Sequence, residues 1–202
     1  MNKNFKLTKH PITGIILSGG KNIRMGVNKA FLKIGQSTII ERTAELFNQL
    51  FEQVILVTNN PLDYAHLNLE IAVDLLPKGG ALIGIYTGLS YASHSHCFIA
   101  ACDMPFLNPA VIKYMVGLGK NYDVVIPSLK DGYHPIHAVY SRRCLNHIEH
   151  LIDEQNYKIT NFFPKVRVRE VTPTEFKPLN PTMDSFLNIN TPDDLKQIGS
   201  TG

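Results

Sequence analysis

The chain has 202 residues, 44% of them hydrophobic and 18% charged, with a formal net charge of +3. That length is within reach of one hydrophobic core, and no stretch approaches the ~20 consecutive apolar residues that cross a bilayer, so a soluble protein with no membrane association is expected. No Asp or Glu precedes Glu41 whereas seven Lys and Arg do, and because Lys21, Arg24, Lys29 and Lys33 crowd one region without interleaved aromatics, the charge suits a small anionic ligand such as a triphosphate rather than nucleic acid.

From the front of the chain, Lys3, Lys6 and Lys9 read as a solvated tail, and residues 1–11 as a flexible extension of one domain spanning 1–202. The apolar run Ile12 to Leu17 behind them is too short, and broken by Gly14, to be a signal peptide. From there short apolar runs alternate with helical patterns, which predicts an α/β fold. Strands are predicted at 12–17, 53–58, 71–73, 97–101, 123–127, 135–140 and 166–171. Val54-Ile55-Leu56-Val57 has the continuous apolar character of a central parallel strand covered on both faces. Helix starts are marked by Thr38 with Glu41, by Asn108-Pro109, and by Thr191-Pro192 followed by Asp193 and Asp194. The spacings of Cys97, Cys102 and Cys144 fit neither a disulfide framework nor a metal site, which predicts reduced, mostly buried thiols in the cytoplasm.

Parallel sheets bind ligands beyond the carboxyl ends of their strands, so the loops after each predicted strand hold the candidate site. After the first comes Leu17-Ser18-Gly19-Gly20-Lys21-Asn22-Ile23-Arg24-Met25-Gly26-Val27-Asn28-Lys29. Its glycines let backbone N–H groups approach phosphate oxygens, and Arg24 and Lys29 can neutralise charge; two glycines after a strand also make an ordinary turn. The stretch is neither a P-loop nor a dinucleotide fingerprint. Asn59 and Asn60 offer amides that can read a base edge, or simple Asn-Pro turn chemistry. The segment Asp74 to Gly84 is read as a glycine-bearing loop in which Asp74 can accept hydrogen bonds from base or sugar. Asp103, at the end of the apolar run 97–101, is either a cation ligand or a turn cap. Asn188 and Asn190 lie on one side of an extended stretch, to contact ligand or close a turn. No histidine, His94, His96, His134 and His137 included, has the spacing of a metal site, and none is given a catalytic part.

Together, Leu-Ser-Gly-Gly with Arg-Met-Gly and Lys29, the Asp74 loop, Cys-Asp-Met-Pro at 102–105 and Asn-Ile-Asn-Thr-Pro at 188–192 resemble the molybdenum cofactor guanylyltransferase family from about Ile12 to Ile198. The four motifs occur in the family's order. Gly19-Gly20 is similar to the guanylyl branch, where the cytidylyl branch and many sugar nucleotidyltransferases carry Ala-Gly. Ser18 stands where Ala is usual, Asn28 where Asp is frequent and Ala81 where many members have Pro.

The resemblance implies a three-layer Rossmann-like nucleotidyltransferase fold with a mostly parallel mixed sheet containing one antiparallel strand. It implies that Leu17, Ser18, Gly19, Gly20, Lys29, Asn59, Asp74 and Asp103 bind GTP, that Asp103 holds Mg²⁺, that Arg24, Lys29 and Asp103 are catalytic, and that Asn188 and Asn190 face the pterin. The implied reaction transfers GMP from GTP to the terminal phosphate of molybdopterin or the molybdenum cofactor. Pyrophosphate is released and the guanine dinucleotide form of the cofactor is made. Transient contact with cofactor-delivery proteins or apo-molybdoenzymes follows from such an activity. The alternatives are cytidylyl or other nucleotidyl transfer to molybdopterin or to a sugar or lipid phosphate, and a nucleotide-binding cofactor chaperone without turnover.

Overall fold

Ile15, Ile16 and Leu17 are apolar without interruption because both faces of their strand are covered: Ile15 joins one hydrophobic cluster and Ile16 the other. The computed structural model describes residues 9–19 and 28–189. Its strands are β1 (His10–Ser18), β2 (Lys33–Ile34), β3 (Ser37–Thr38), β4 (Phe51–Thr58), β5 (Glu70–Ala72), β6 (His96–Ala101), β7 (Val124–Leu129), β8 (Gly132–Tyr133), β9 (His137–Ser141) and β10 (Val168–Val171). The α-helices are α1 (Ile39–Leu50), α2 (Ala81–Tyr91), α3 (Pro109–Leu118), α4 (Leu145–Asp153) and α5 (Pro173–Phe176). The main sheet runs β10-β7-β9-β6-β1-β4-β5, with β8 paired to β7, while β2 and β3 form a separate hairpin. Neighbours along that order are parallel except where β9 pairs antiparallel with β6 and β7. The fold is thus α/β and Rossmann-like with a mostly parallel mixed sheet.

Register sets the two cores. Ile15 lies opposite Ile55 and Ile99, and all three face the layer built from Leu82, Ile85 and Leu89 of α2 and Ile148 and Leu151 of α4. One residue on, Ile16, Leu56 and Ala100 belong to the layer that holds Phe47 and Leu50 of α1 and Val111, Ile112 and Met115 of α3. Gly14 is needed on that second face, where a Cβ would come within 2.3 Å of a Phe51 ring carbon and 2.7 Å of a Phe47 ring carbon. The break in the apolar run is therefore a packing requirement.

The expected helix starts at 38 and 108 are present. Thr38 and Glu41 form a reciprocal capping box, and the Asn108 side chain accepts from the Ala110 N–H at 2.8 Å. The start expected at Thr191 lies outside the described residues. Three readings change. The segment 74–84, read as loop throughout, turns into α2 at Ala81; Gly80 gives that helix no side-chain cap, so the usual sequence mark of a start is missing. The antiparallel strand expected from Pro135 begins at His137, since Pro135 has no N–H for a ladder and its carbonyl instead accepts the Tyr140 hydroxyl at 2.7 Å. Strand β1 starts at His10, inside the segment expected to be an extension. Among the described residues no helix is long and apolar enough to cross a membrane. All three cysteines are free and buried, and burial pushes each thiol up to about 12.

Candidate active site

Strand β1 has β4 on one side and β6 on the other, and the chain order reverses between β1 and β6, where a parallel sheet opens a crevice at its carboxyl edge. The Cys102 N–H donates to the Leu17 carbonyl at 3.0 Å and holds the loop after β6 against the end of β1. A cleft of about 130 Å³ lies there, lined among others by Leu17, Gly19, Asp74, Gly80, Asp103 and Ile136. Four of the residues singled out from sequence, Leu17, Gly19, Asp74 and Asp103, thus share one wall-to-wall space.

Asp103 follows a strand end whose Ala101 and Cys102 are buried, so its backbone is fixed by the core. Its Oδ1 is buried and has no hydrogen-bond partner among the described residues. Burial raises the carboxyl above its ordinary 3.8, while the positive charge of Lys29 pulls the other way. Asp74 presents a second such atom. The Asn59 amide donates to Asp74 Oδ2 at 2.8 Å, and Asp74 Oδ1 is buried without a partner among the described residues. Asn59 therefore reaches the cleft through Asp74.

Lys29 opens a 3-10 turn, Lys29–Phe31, whose preceding residue Asn28 caps it by accepting the Ala30 N–H at 3.1 Å. The Ser18 side chain is engaged elsewhere: its hydroxyl meets the Tyr64 hydroxyl at 2.5 Å. The opposite wall is the start of α2. Gly79 and Gly80 have φ of +66° and +100°, conformations that favour glycine, and Gly80 gives the first N–H groups of α2 no side-chain cap, the kind of helix start that can take an anionic or polar ligand. Ala81 at the first helical position retains an N–H that proline would lack.

The Asp103 carbonyl accepts the Ile189 N–H at 3.0 Å, which brings the C-terminal stretch to the rim of the cleft with Asn188 exposed beside it. Gly20, Arg24 and Asn190 lie outside the described residues. Tyr64 and Ile136 are additions. Tyr64 has no local signal in sequence because its partners Ser18 and Asn28 are 46 and 36 residues away. Ile136 became a lining residue only through the antiparallel strand that follows it.

No group of three His, Cys, Asp or Glu able to hold a metal exists among the described residues. A hard cation here would rely on the Asp103 carboxylate together with ligand phosphates and water, a donor set that suits Mg²⁺. The histidines stay apart from the cleft. His137 is fully buried between Phe98 and Phe186, its ring nitrogens have no partner among the described residues, and burial pushes it down to about 3. His134 pairs with Asp131 and His94 with Glu52.

Residues 14–167 match the MobA-like NTP transferase domain. The chain is 41% identical over 188 residues to the molybdenum cofactor guanylyltransferase of Desulfosudis oleivorans, covering 92% of this chain and 93% of that protein. It is 37% identical over 183 residues to the probable molybdenum cofactor guanylyltransferase of Pelotomaculum thermopropionicum, covering 91% and 89%. The crystal structure of molybdopterin-guanine dinucleotide biosynthesis protein A from Archaeoglobus fulgidus superimposes with a TM-score of 0.80 at 27% identity, covering 94% of this chain and 100% of that one.

Proposed function

This chain belongs to the MobA-like NTP transferase family, and on that premise we propose that it transfers GMP from GTP to the terminal phosphate of molybdopterin, releasing pyrophosphate and forming the guanine dinucleotide form of the cofactor. The observation that carries the reading is the pair of buried carboxylate oxygens, Asp103 Oδ1 and Asp74 Oδ1, that line one cleft without partners among the described residues. Buried polar atoms of this kind are costly unless a ligand satisfies them.

The two carboxylates divide the work. Asp74, held by Asn59, accepts from N–H groups of the base, which guanine supplies as donors on its edge. Asp103 fits a divalent cation, with Mg²⁺ the ion proposed; when bound, it neutralises charge on the nucleotide and the attacking phosphate. The glycine-rich stretch holds the triphosphate by backbone N–H groups, with Leu17, Ser18, Gly19 and Gly20 at its entrance. Lys29, whose charge is felt at Asp103, and Arg24 offset the negative charge that grows at the α-phosphate. Asn188, on the rim beside Asp103, contacts the pterin together with Asn190. A terminal phosphate oxygen of molybdopterin then bonds to the α-phosphorus as the bond from that phosphorus to the bridging oxygen breaks, and pyrophosphate leaves with the electron pair. Because the reaction is positioned rather than proton-driven, it requires no histidine.

Pyrophosphate release measured with each of the four nucleoside triphosphates, with and without molybdopterin, tests the proposal. GTP should exceed CTP and ATP by about tenfold or more, since a pocket built to accept hydrogen bonds penalises a base that leaves it unpaired. Release that is equal for all four, or independent of molybdopterin, would overturn the assignment.

A further inference from the structure

We propose that Tyr64 is a positioning residue: its single hydroxyl ties the end of β1 to the turn that carries Lys29 and so sets where that lysine stands relative to Asp103, at which its charge is felt. The inference rests on the guanylyl reading above and adds a residue that no motif marks. Tyr64 sits in the 3-10 segment Pro61–Leu67 that follows β4, and it is 1% exposed. Its hydroxyl meets the Ser18 hydroxyl at 2.5 Å on one side and accepts the Asn28 amide N–H at 2.8 Å on the other. Ser18 is the last residue of β1; Asn28 caps the Lys29–Phe31 turn. The Tyr64 ring also stacks on Phe31 at the far end of that turn, 5.0 Å between centroids. Tyr64 thus grips the turn before and after Lys29, with the hydroxyl bond at residue 28 and the ring stack at residue 31.

The chemistry of the partners allows both bonds at once. A phenol has one proton and two lone pairs, so it can accept from the Asn28 amide while sharing a proton with Ser18. Alanine at position 18 has no hydroxyl to offer. All three side chains are at least half-buried, where a fixed hydrogen bond holds geometry that a solvated one does not. Displacing a group aimed at the triphosphate by a fraction of its hydrogen-bond length costs binding, and such a loss is expected to disappear when the group itself is removed.

The test is a mutant cycle on the full chain with Mg²⁺, read by GTP affinity and by kcat and KM for pyrophosphate release. Tyr64→Phe keeps the ring on Phe31 and removes only the hydroxyl; it should weaken GTP binding about tenfold. In a Lys29→Met background the same change should cost less than about twofold, because nothing remains to be positioned. Asn28→Asp should keep wild-type affinity, since the phenol can donate to a carboxylate that still caps Ala30. Asn28→Ala should reproduce the loss, and it decides the matter if Tyr64→Phe does not fold. An equal penalty in both Lys29 backgrounds, or wild-type affinity in Asn28→Ala, overturns the positioning role. Wild-type protein that binds GTP no better than Tyr64→Phe overturns that role alone; wild-type protein that binds no GTP overturns the guanylyl reading and the positioning role with it.

Discussion

At Asp103 folding and the proposed ligand binding pull in opposite directions. Burial raises its carboxyl above 3.8, so between the ordinary value and the raised one the folded chain holds a proton that the unfolded chain has released. Stability therefore falls as pH rises through that window. Asp103→Asn carries no such penalty, and without metal it should melt at or above the wild-type temperature at neutral pH, the difference vanishing once pH drops below the carboxylate range. Adding Mg²⁺ with GTP should reverse the ranking, because only wild type gains from the ligand. Thermal melts across pH, with and without Mg²⁺ and GTP, check both signs; a large loss of stability in the apo variant would instead make Asp103 a structural cap. His137 tests the same linkage from the other side. Its folded value lies at about 3 against an ordinary 6.5, so the unfolded chain takes up a proton first as pH falls, and stability declines by about 1.4 kcal/mol per pH unit within that window. His137→Leu should flatten the slope while leaving neutral-pH stability little changed, as measured by denaturant midpoints; an unchanged slope would mean the ring is paired or hydrated.

Elements were legible where their burial is simple. β1, β4 and β6 are covered on both faces and read as near-continuous apolar runs, and α1 and α3 announce themselves with capping side chains. What escaped has a physical reason in each case. α2 begins after two glycines rather than a capping side chain, β2, β3 and β8 span two residues each, and the 3-10 segment holding Tyr64 opens on an Asn-Pro pair that reads only as a turn. Gly14 looked like a flaw in β1 and is a close approach between strand and aromatic rings. Gly14→Ala would drive a methyl into Phe51 and Phe47, and overpacking of this kind costs roughly 1–3 kcal/mol. The denaturant midpoint should fall with an unchanged slope; a wild-type midpoint would show that the two rings can turn aside.

At the scale of the molecule, topology delivers the site. The chain goes from β1 to β4 and β5 on one side and returns with β6 on the other, so residues distant in sequence, Gly19 from the first crossover and Asp103 from a later one, meet at the carboxyl edge. Those residues could be singled out in advance because ligand sites of parallel sheets lie directly after strand ends; the wall from the start of α2 and the Tyr64 tie could not, because tertiary packing creates them. The early excess of positive charge, with no acidic residue before Glu41, was legible in the same way, and under the proposed function Lys21, Arg24 and Lys29 within it offset the charge of the triphosphate. Mass spectrometry of the product formed from molybdopterin, GTP and Mg²⁺ tests the whole most directly, run on wild type and Asp103→Asn and repeated with CTP. Wild type should yield molybdopterin carrying one GMP, with little CMP product, and Asp103→Asn should form it ~10²-fold more slowly or worse while remaining folded. Equal rates from the two proteins, or CMP product formed as readily as GMP product, would contradict guanylyl transfer at this cleft.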